Sequence, residues 1–161
     1  MPYTVVIMGI SSNSESHKMK TSDISAFARV LAIEAGDLML SEREGAQLSY
    51  SFKKGTELVT SADLAVDQLI SAKIKQKFPE HVILSEESSP DIGRVEDLSS
   101  PLWIIDPIDG TVNYAHGHNQ SAVSIAYADD GDIEVFLEVT KAKKQEASAR
   151  AAQAAAADKC S

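Results

Sequence analysis

Residues 102–114 read L-W-I-I-D-P-I-D-G-T-V-N-Y, and this stretch decides the fold. Four apolar residues run directly into Asp106 and Asp109, which stand three positions apart around Pro107 and are closed by Gly110. A short apolar run ended by proline and glycine is the pattern of a buried strand. The layout predicts a strand over residues 102–105 that delivers two carboxylates into a tight turn. Working outward, residues 82–84 (V-I-L) form a second short buried strand, which also ends in acids, Glu86 and Glu87. If the two strands are neighbours, Glu86, Asp106 and Asp109 converge at one edge of a sheet. Carboxylates gathered in this way repel one another unless they bind protons or cations. An all-oxygen donor set without His or Cys suits Mg²⁺ or Mn²⁺ better than zinc. Gly110 and Thr111 stand where a helix can begin, and free backbone N–H groups there form an anion site. Carboxylates for cations beside amides for a phosphate imply metal-assisted phosphoryl transfer.

The flanking chain supplies the layers. A helix is predicted over residues 23–43, with Ser22 as N-cap, Asp23 in the first turn and Gly45 as the stop. Ile24, Phe27, Leu31, Ala35 and Leu38 recur along it at helical spacing and give one buried face. Residues 47–52 read as a short strand, followed by a Lys53-Lys54-Gly55 turn. A second helix fits residues 62–78, with Val66, Leu69, Ile70 and Ile74 on its apolar face. Lys73, Lys75 and Lys77 lie towards its C-terminus, where the helix dipole favours cations, and Pro79 ends it. Residues 88–101 read as a surface loop. Residues 121–128 and 133–139 flank Asp129-Asp130-Gly131-Asp132, a strong hairpin signal. The predicted fold is α+β, with helices packed on a largely antiparallel sheet. Its organisation is a flexible N-terminal arm (1–22), one domain (23–139) and an alanine-rich tail (140–161).

The whole chain is consistent with that scale. Its 161 residues suit one domain with a real core. The hydrophobic share of 43% and charged share of 24% are ordinary for a globular protein. A net charge of −9 argues against an electrostatic grip on nucleic acid, and an acidic protein that handles phosphate needs cations to screen its own field. The single cysteine, Cys160, allows no internal disulfide. No apolar run approaches membrane-spanning length, and residues 1–10 lack the basic start of a secretory signal, so a cytoplasmic protein without a membrane partner is expected.

The segment D-P-I-D-G-T-V-N-Y at residues 106–114 resembles the signature of the inositol monophosphatase family, the lithium-sensitive Mg²⁺-dependent phosphatases. Three upstream pieces agree in order: Glu57-Leu58-Val59-Thr60 followed by Asp63, Phe78-Pro79-Glu80-His81, and Ile83-Leu84-Ser85-Glu86-Glu87. The segment 121–126 resembles the strand that follows the signature, and the likeness covers residues 23–135. It implies the family's α/β layered sandwich and a phosphomonoesterase that hydrolyses inositol phosphate, or a similar small polyol or sugar monophosphate, by metal-activated water. Glu86, Asp106 and the carbonyl of Ile108 would bind one Mg²⁺, and Asp106 and Asp109 another. Glu86 and Thr111, with Asp63 behind the threonine, would orient and activate the water. Asp109 and the amides of Gly110 and Thr111 would hold the substrate. The family has two or three Mg²⁺ sites, and a homodimer is possible by the same resemblance. Within the shared scaffold, 3′(2′),5′-bisphosphate nucleotidase and fructose-1,6-bisphosphatase are alternatives, and Asn113-Tyr114 favours the inositol monophosphatase branch.

Departures from the pattern shape further expectations. Family members continue into a second domain with a further metal-binding aspartate in a W-D-x-A segment, whereas Trp103 is the only tryptophan here. The resemblance therefore implies a chain truncated before the second domain, with the second metal site incomplete. A non-catalytic fragment or interaction partner is the competing expectation. Ser85 replaces the usual glycine before the acidic pair, and His118-Asn119-Gln120 replaces a loop that usually contains proline. Taken alone, Asp63 reads as a helix cap, Trp103 as core, His116 and His118 as solvated loop residues, and Lys54 as a surface lysine.

Overall fold

The computed structural model describes residues 3–9, 21–44, 49–53, 57–88 and 100–141. Lys54, the alanine-rich tail beyond residue 141, and Cys160 with it, lie outside the described residues. Two helices, α1 (Thr21–Glu44) and α2 (Ser61–Lys77), pack together on one face of a five-stranded sheet. Ile24, Ala28, Leu31, Ala32, Ala35 and Met39 form the buried stripe of α1, and Val66, Ile70 and Ile74 that of α2. Phe27 and Leu38, expected on the buried face, pack at its margin. The first described helical residue is Thr21, so Ser22 lies inside α1 and is not its cap.

The sheet contains β1 (Tyr3–Gly9), β4 (Val82–Ser85), β5 (Leu102–Asp109), β6 (Ala122–Asp129) and β7 (Asp132–Lys141), in the spatial order β1-β7-β6-β5-β4. A two-stranded antiparallel ribbon, β2 (Tyr50–Lys53) with β3 (Glu57–Thr60), leads into α2. Among the described strands, only β4 and β5 run parallel, and the other neighbouring pairs are antiparallel, in keeping with the largely antiparallel sheet expected. The β6–β7 hairpin turns at Asp130 (φ 51°) and Gly131 (φ 84°), the two left-handed positions that a two-residue hairpin of right-handed twist demands.

Two expectations need correction. Residues 3–9 are not part of a free arm: β1 pairs antiparallel with β7 over its whole length, Tyr3 against Lys141 and Gly9 against Val135. This pairing satisfies backbone groups along β7 that would otherwise form an open edge. Asp106 and Asp109 also do not sit in a tight turn beyond a strand. β5 continues to Asp109, and its register against β6 slips between Asp106 and Asp109. Pro107, which has no N–H for the ladder, falls in that irregularity, as a strand proline should.

Trp103 is the centre of the core, as expected. It is fully buried and stacks on Phe78 at a 5.8 Å centroid distance, with Phe27 edge-on at the same distance and Tyr127 tilted at 5.0 Å. Its Nε1–H donates to His81 Nδ1 at 3.0 Å, so the indole's one polar atom is satisfied inside the core.

Candidate active site

The parallel pairing of β4 and β5 sets Ser85 opposite Ile105, so the next residues, Glu86 and Asp106, leave the sheet side by side. The Glu86 N–H donates to the Ile105 carbonyl at 3.2 Å and extends that pairing by one step. A cleft of about 330 Å³ opens there, lined by Glu86, Asp106, Ile108, Asp109, Gly110 and Thr111 together with Leu58, Val112 and Asn113. All the residues expected to hold cations or phosphate thus border one cleft. Asp63 lies behind it, 1% exposed, and accepts from the Thr111 hydroxyl at 3.0 Å.

The electrostatics follow from this crowding. Burial first, then the neighbouring carboxylates of Glu86 and Asp109, push the Asp106 carboxyl up to about 7. Asp106 Oδ1 is buried and has no hydrogen-bond partner. A buried acceptor without a donor is costly, and a cation would relieve both the orphaned oxygen and the repulsion. The donor set therefore fits a hard divalent cation. Among the described residues, no three His, Cys, Asp or Glu side chains gather closely enough to hold an ion unaided. The Ile108 carbonyl and solvent would have to complete the shell, as is usual for Mg²⁺.

Asp63 has a second task. Thr60, not Asp63, is the N-cap of α2, and the two form a capping box: the Asp63 N–H reaches the Thr60 hydroxyl oxygen at 3.4 Å and the Thr60 N–H donates to Asp63 Oδ2 at 2.9 Å, an oxygen that also accepts from the Thr60 hydroxyl. Capping thus uses Oδ2, while Oδ1 holds Thr111. The Thr111 hydroxyl also lies 3.0 Å from the Ile108 carbonyl, so its single proton is shared between two acceptors and its oxygen keeps the capacity to accept.

Gly110 makes the corner between β5 and the short helix α3 (Thr111–Ala115). It has φ 83°, and a Cβ there would lie 2.7 Å from the Gln120 carbonyl, so only glycine fits. The first N–H groups of α3 have no acceptor within the helix.

Two residues overlooked in the sequence belong to this neighbourhood. Asp67, 4% exposed on α2, accepts from the Ser85 hydroxyl, and the Glu87 N–H reaches the same hydroxyl at 3.4 Å. Ser85 therefore ties the end of β4 to α2. The signal was the i, i+4 spacing of Asp63 and Asp67, which places both on one helix face. The second is Arg43, which reaches the loop after α3. His116 and His118 are exposed in that loop and take no part in the cleft.

Known proteins share the sequence pattern and the fold of this chain. The model of the inositol monophosphatase family matches residues 20–136. Human inositol monophosphatase 2 is 34% identical over 104 residues, covering 65% of this chain and 36% of that protein. An IMPase of Thermotoga maritima superposes with a TM-score of 0.62 at 30% identity, covering 72% of this chain and 43% of the other. The extragenic suppressor protein suhB of Bartonella henselae does so with a TM-score of 0.61 at 32% identity, over 69% and 42% of the two chains. The chain spans about a third of the length of the curated relatives it matches, 33% and 36% for the protein qutG of Emericella nidulans and the human protein.

Proposed function

The chain belongs to the inositol monophosphatase family, and we propose that its cleft serves the Mg²⁺-dependent hydrolysis of a small polyol monophosphate such as inositol phosphate, in the cytoplasm. The observation that carries this reading is the buried, unpartnered Asp106 Oδ1 in a cleft that also exposes Glu86 and Asp109. Glu86, Asp106, Asp109 and the Ile108 carbonyl would hold the cations. When bound, Mg²⁺ supplies Lewis acidity that makes a water nucleophilic near neutral pH and offsets the charge of the phosphate.

The chain's own groups then divide the remaining work. Thr111 donates to Asp63, so its oxygen is left to accept a hydrogen bond from the attacking water and to aim it. Glu86, exposed and lining the cleft, would take the proton from that water. The N–H groups at the Gly110–Thr111 corner would hold phosphate oxygens, and Asp109, also exposed, would accept from a substrate hydroxyl. The acidic balance of the whole chain suits this arrangement, since phosphate approaches it only with cations.

The test is phosphate release from inositol 1-phosphate by this chain, with and without Mg²⁺, beside an Asp109→Asn variant. Release that requires both Mg²⁺ and Asp109 is expected. Absence of release at saturating Mg²⁺ from a chain with a cooperative melt would refute the reading for this chain.

A further inference from the structure

We propose that Arg43, in the last turn of α1, is a positioning residue for the cleft: its guanidinium sets the loop of residues 116–120, and that loop sets the Gly110–Asn113 corner. Arg43 Nη1–H donates to the His118 carbonyl at 2.8 Å, and Nη2–H donates to Asn119 Oδ1 at 2.9 Å. A planar fork with two parallel donors matches a carbonyl and an amide oxygen side by side, a geometry lysine cannot reproduce. The guanidinium carbon also lies 5.9 Å from the centre of the Tyr114 ring. Tyr114 is itself fully buried, and its hydroxyl donates to the Met39 carbonyl of α1 at 2.7 Å. One end of α1 therefore grips α3 and the loop beyond it together.

The loop passes this restraint to the corner by three contacts. The His118 N–H donates to the Asn113 carbonyl at 2.8 Å, and Asn113 Nδ2–H donates to the Gln120 carbonyl at 3.1 Å. That same Gln120 oxygen lies against Gly110, closely enough to exclude a Cβ. Displacing residues 118–120 would therefore move the roof over Gly110 and release Asn113. The hydrogen bond from Arg43 also orients the Asn119 amide, so its Nδ2 donors point away from the guanidinium. Asn119 lines a polar cavity of about 350 Å³ that shares Asp109, Gly110 and Asn113 with the carboxylate cleft.

The ligand readout of this proposal rests on the phosphatase reading, and the conformational readout does not. The test compares the full chain with its Arg43→Met and Arg43→Lys variants by amide hydrogen exchange and by phosphate titration in Mg²⁺, followed by NMR. For Arg43→Met, exchange at Tyr114, His116 and His118, whose N–H groups are hydrogen-bonded, should accelerate by about tenfold or more, while β5–β7 stay protected. The dissociation constant for inorganic phosphate should rise about tenfold, a loss of about 1.4 kcal/mol, with Arg43→Lys in between. A uniform acceleration across the sheet would show a merely structural role and overturn the proposal, as would wild-type exchange in both variants. If Arg43→Met does not fold, Arg43→Lys, which keeps the charge, decides by the same pattern. If the unaltered chain ignores phosphate and Mg²⁺, the phosphatase reading falls, and the exchange data alone decide the role of Arg43.

Discussion

At Trp103, β5 carries an indole that is fully buried, ringed by Phe27, Phe78 and Tyr127, with its N–H bonded to His81. Further along the same strand, at Asp106, it carries a carboxyl oxygen that is buried with no partner, beside two like charges. The first end satisfies every group it buries and contributes stability. The second leaves one carboxyl oxygen unsatisfied and subtracts from it. Within one strand the chain separates satisfied burial from unsatisfied burial, and unsatisfied polar groups are expected where function lies.

That contrast can be broken experimentally, starting from its stable end. Trp103→Ala should cost about 3–5 kcal/mol in urea denaturation, because a large buried side chain leaves a cavity. A loss under about 1 kcal/mol would mean that the aromatic cluster is not the anchor it looks like. At the other end, Mg²⁺ at a hundred times its dissociation constant should add about 2.7 kcal/mol of stability by mass action. Asp106→Asn should remove that gain while leaving the metal-free chain at pH 8 at least as stable as the unaltered one. Mg²⁺ stabilisation that survives Asp106→Asn would place the cation elsewhere.

Between the two ends lies the Ser85–Asp67 contact. Ser85→Gly should cost about 1–2 kcal/mol by stripping a buried carboxylate of a donor. No change in the denaturation midpoint would remove Ser85 from the link between β4 and α2.

The most diagnostic effects are those of pH, because the two ends should respond to it in opposite directions. Burial holds the His81 pKa below its ordinary value of 6.5, so its contribution is full above that value and is lost as pH falls below it. The nearby Asp129 carboxylate opposes this shift and the Lys75 ammonium adds to it. Asp106 runs the other way. Its folded value of about 7 lies above the ordinary 3.8, so without cations stability declines as pH rises between those values and is flat beyond. Denaturation between pH 4 and 8 should therefore lose its rising component in His81→Gln and its falling component in Asp106→Asn. Identical profiles in the two variants would contradict the assignment.

Much of this was legible locally. Helices α1 and α2 follow from apolar residues at helical spacing, and the β6–β7 hairpin from Asp130-Gly131, because each signal lies within a few residues of the element it specifies. β4 and β5 were visible as apolar runs ending in acids. β1 was not, since what makes Tyr3–Gly9 a strand is β7, at the far end of the described chain. The strand character of Asp106 and Asp109 was hidden by Pro107, which locally signals a turn and here marks a slip in register. Arg43 entered only as the last residue of a predicted helix, because the loop it grips is 75 residues away.

By itself, the sequence determined the chemistry: carboxylates after two buried strands, a glycine corner, a threonine, and the family that uses them. Those are covalent facts of order and spacing. Only the tertiary structure decided that β4 runs parallel beside β5, that Asp63 divides its two oxygens between a helix cap and Thr111, and that one oxygen of Asp106 is left buried and alone. The physical reason is that strand pairing, burial and the withdrawal of water arise from contacts between distant segments. They turn a list of acids into a site whose repulsion calls for a cation.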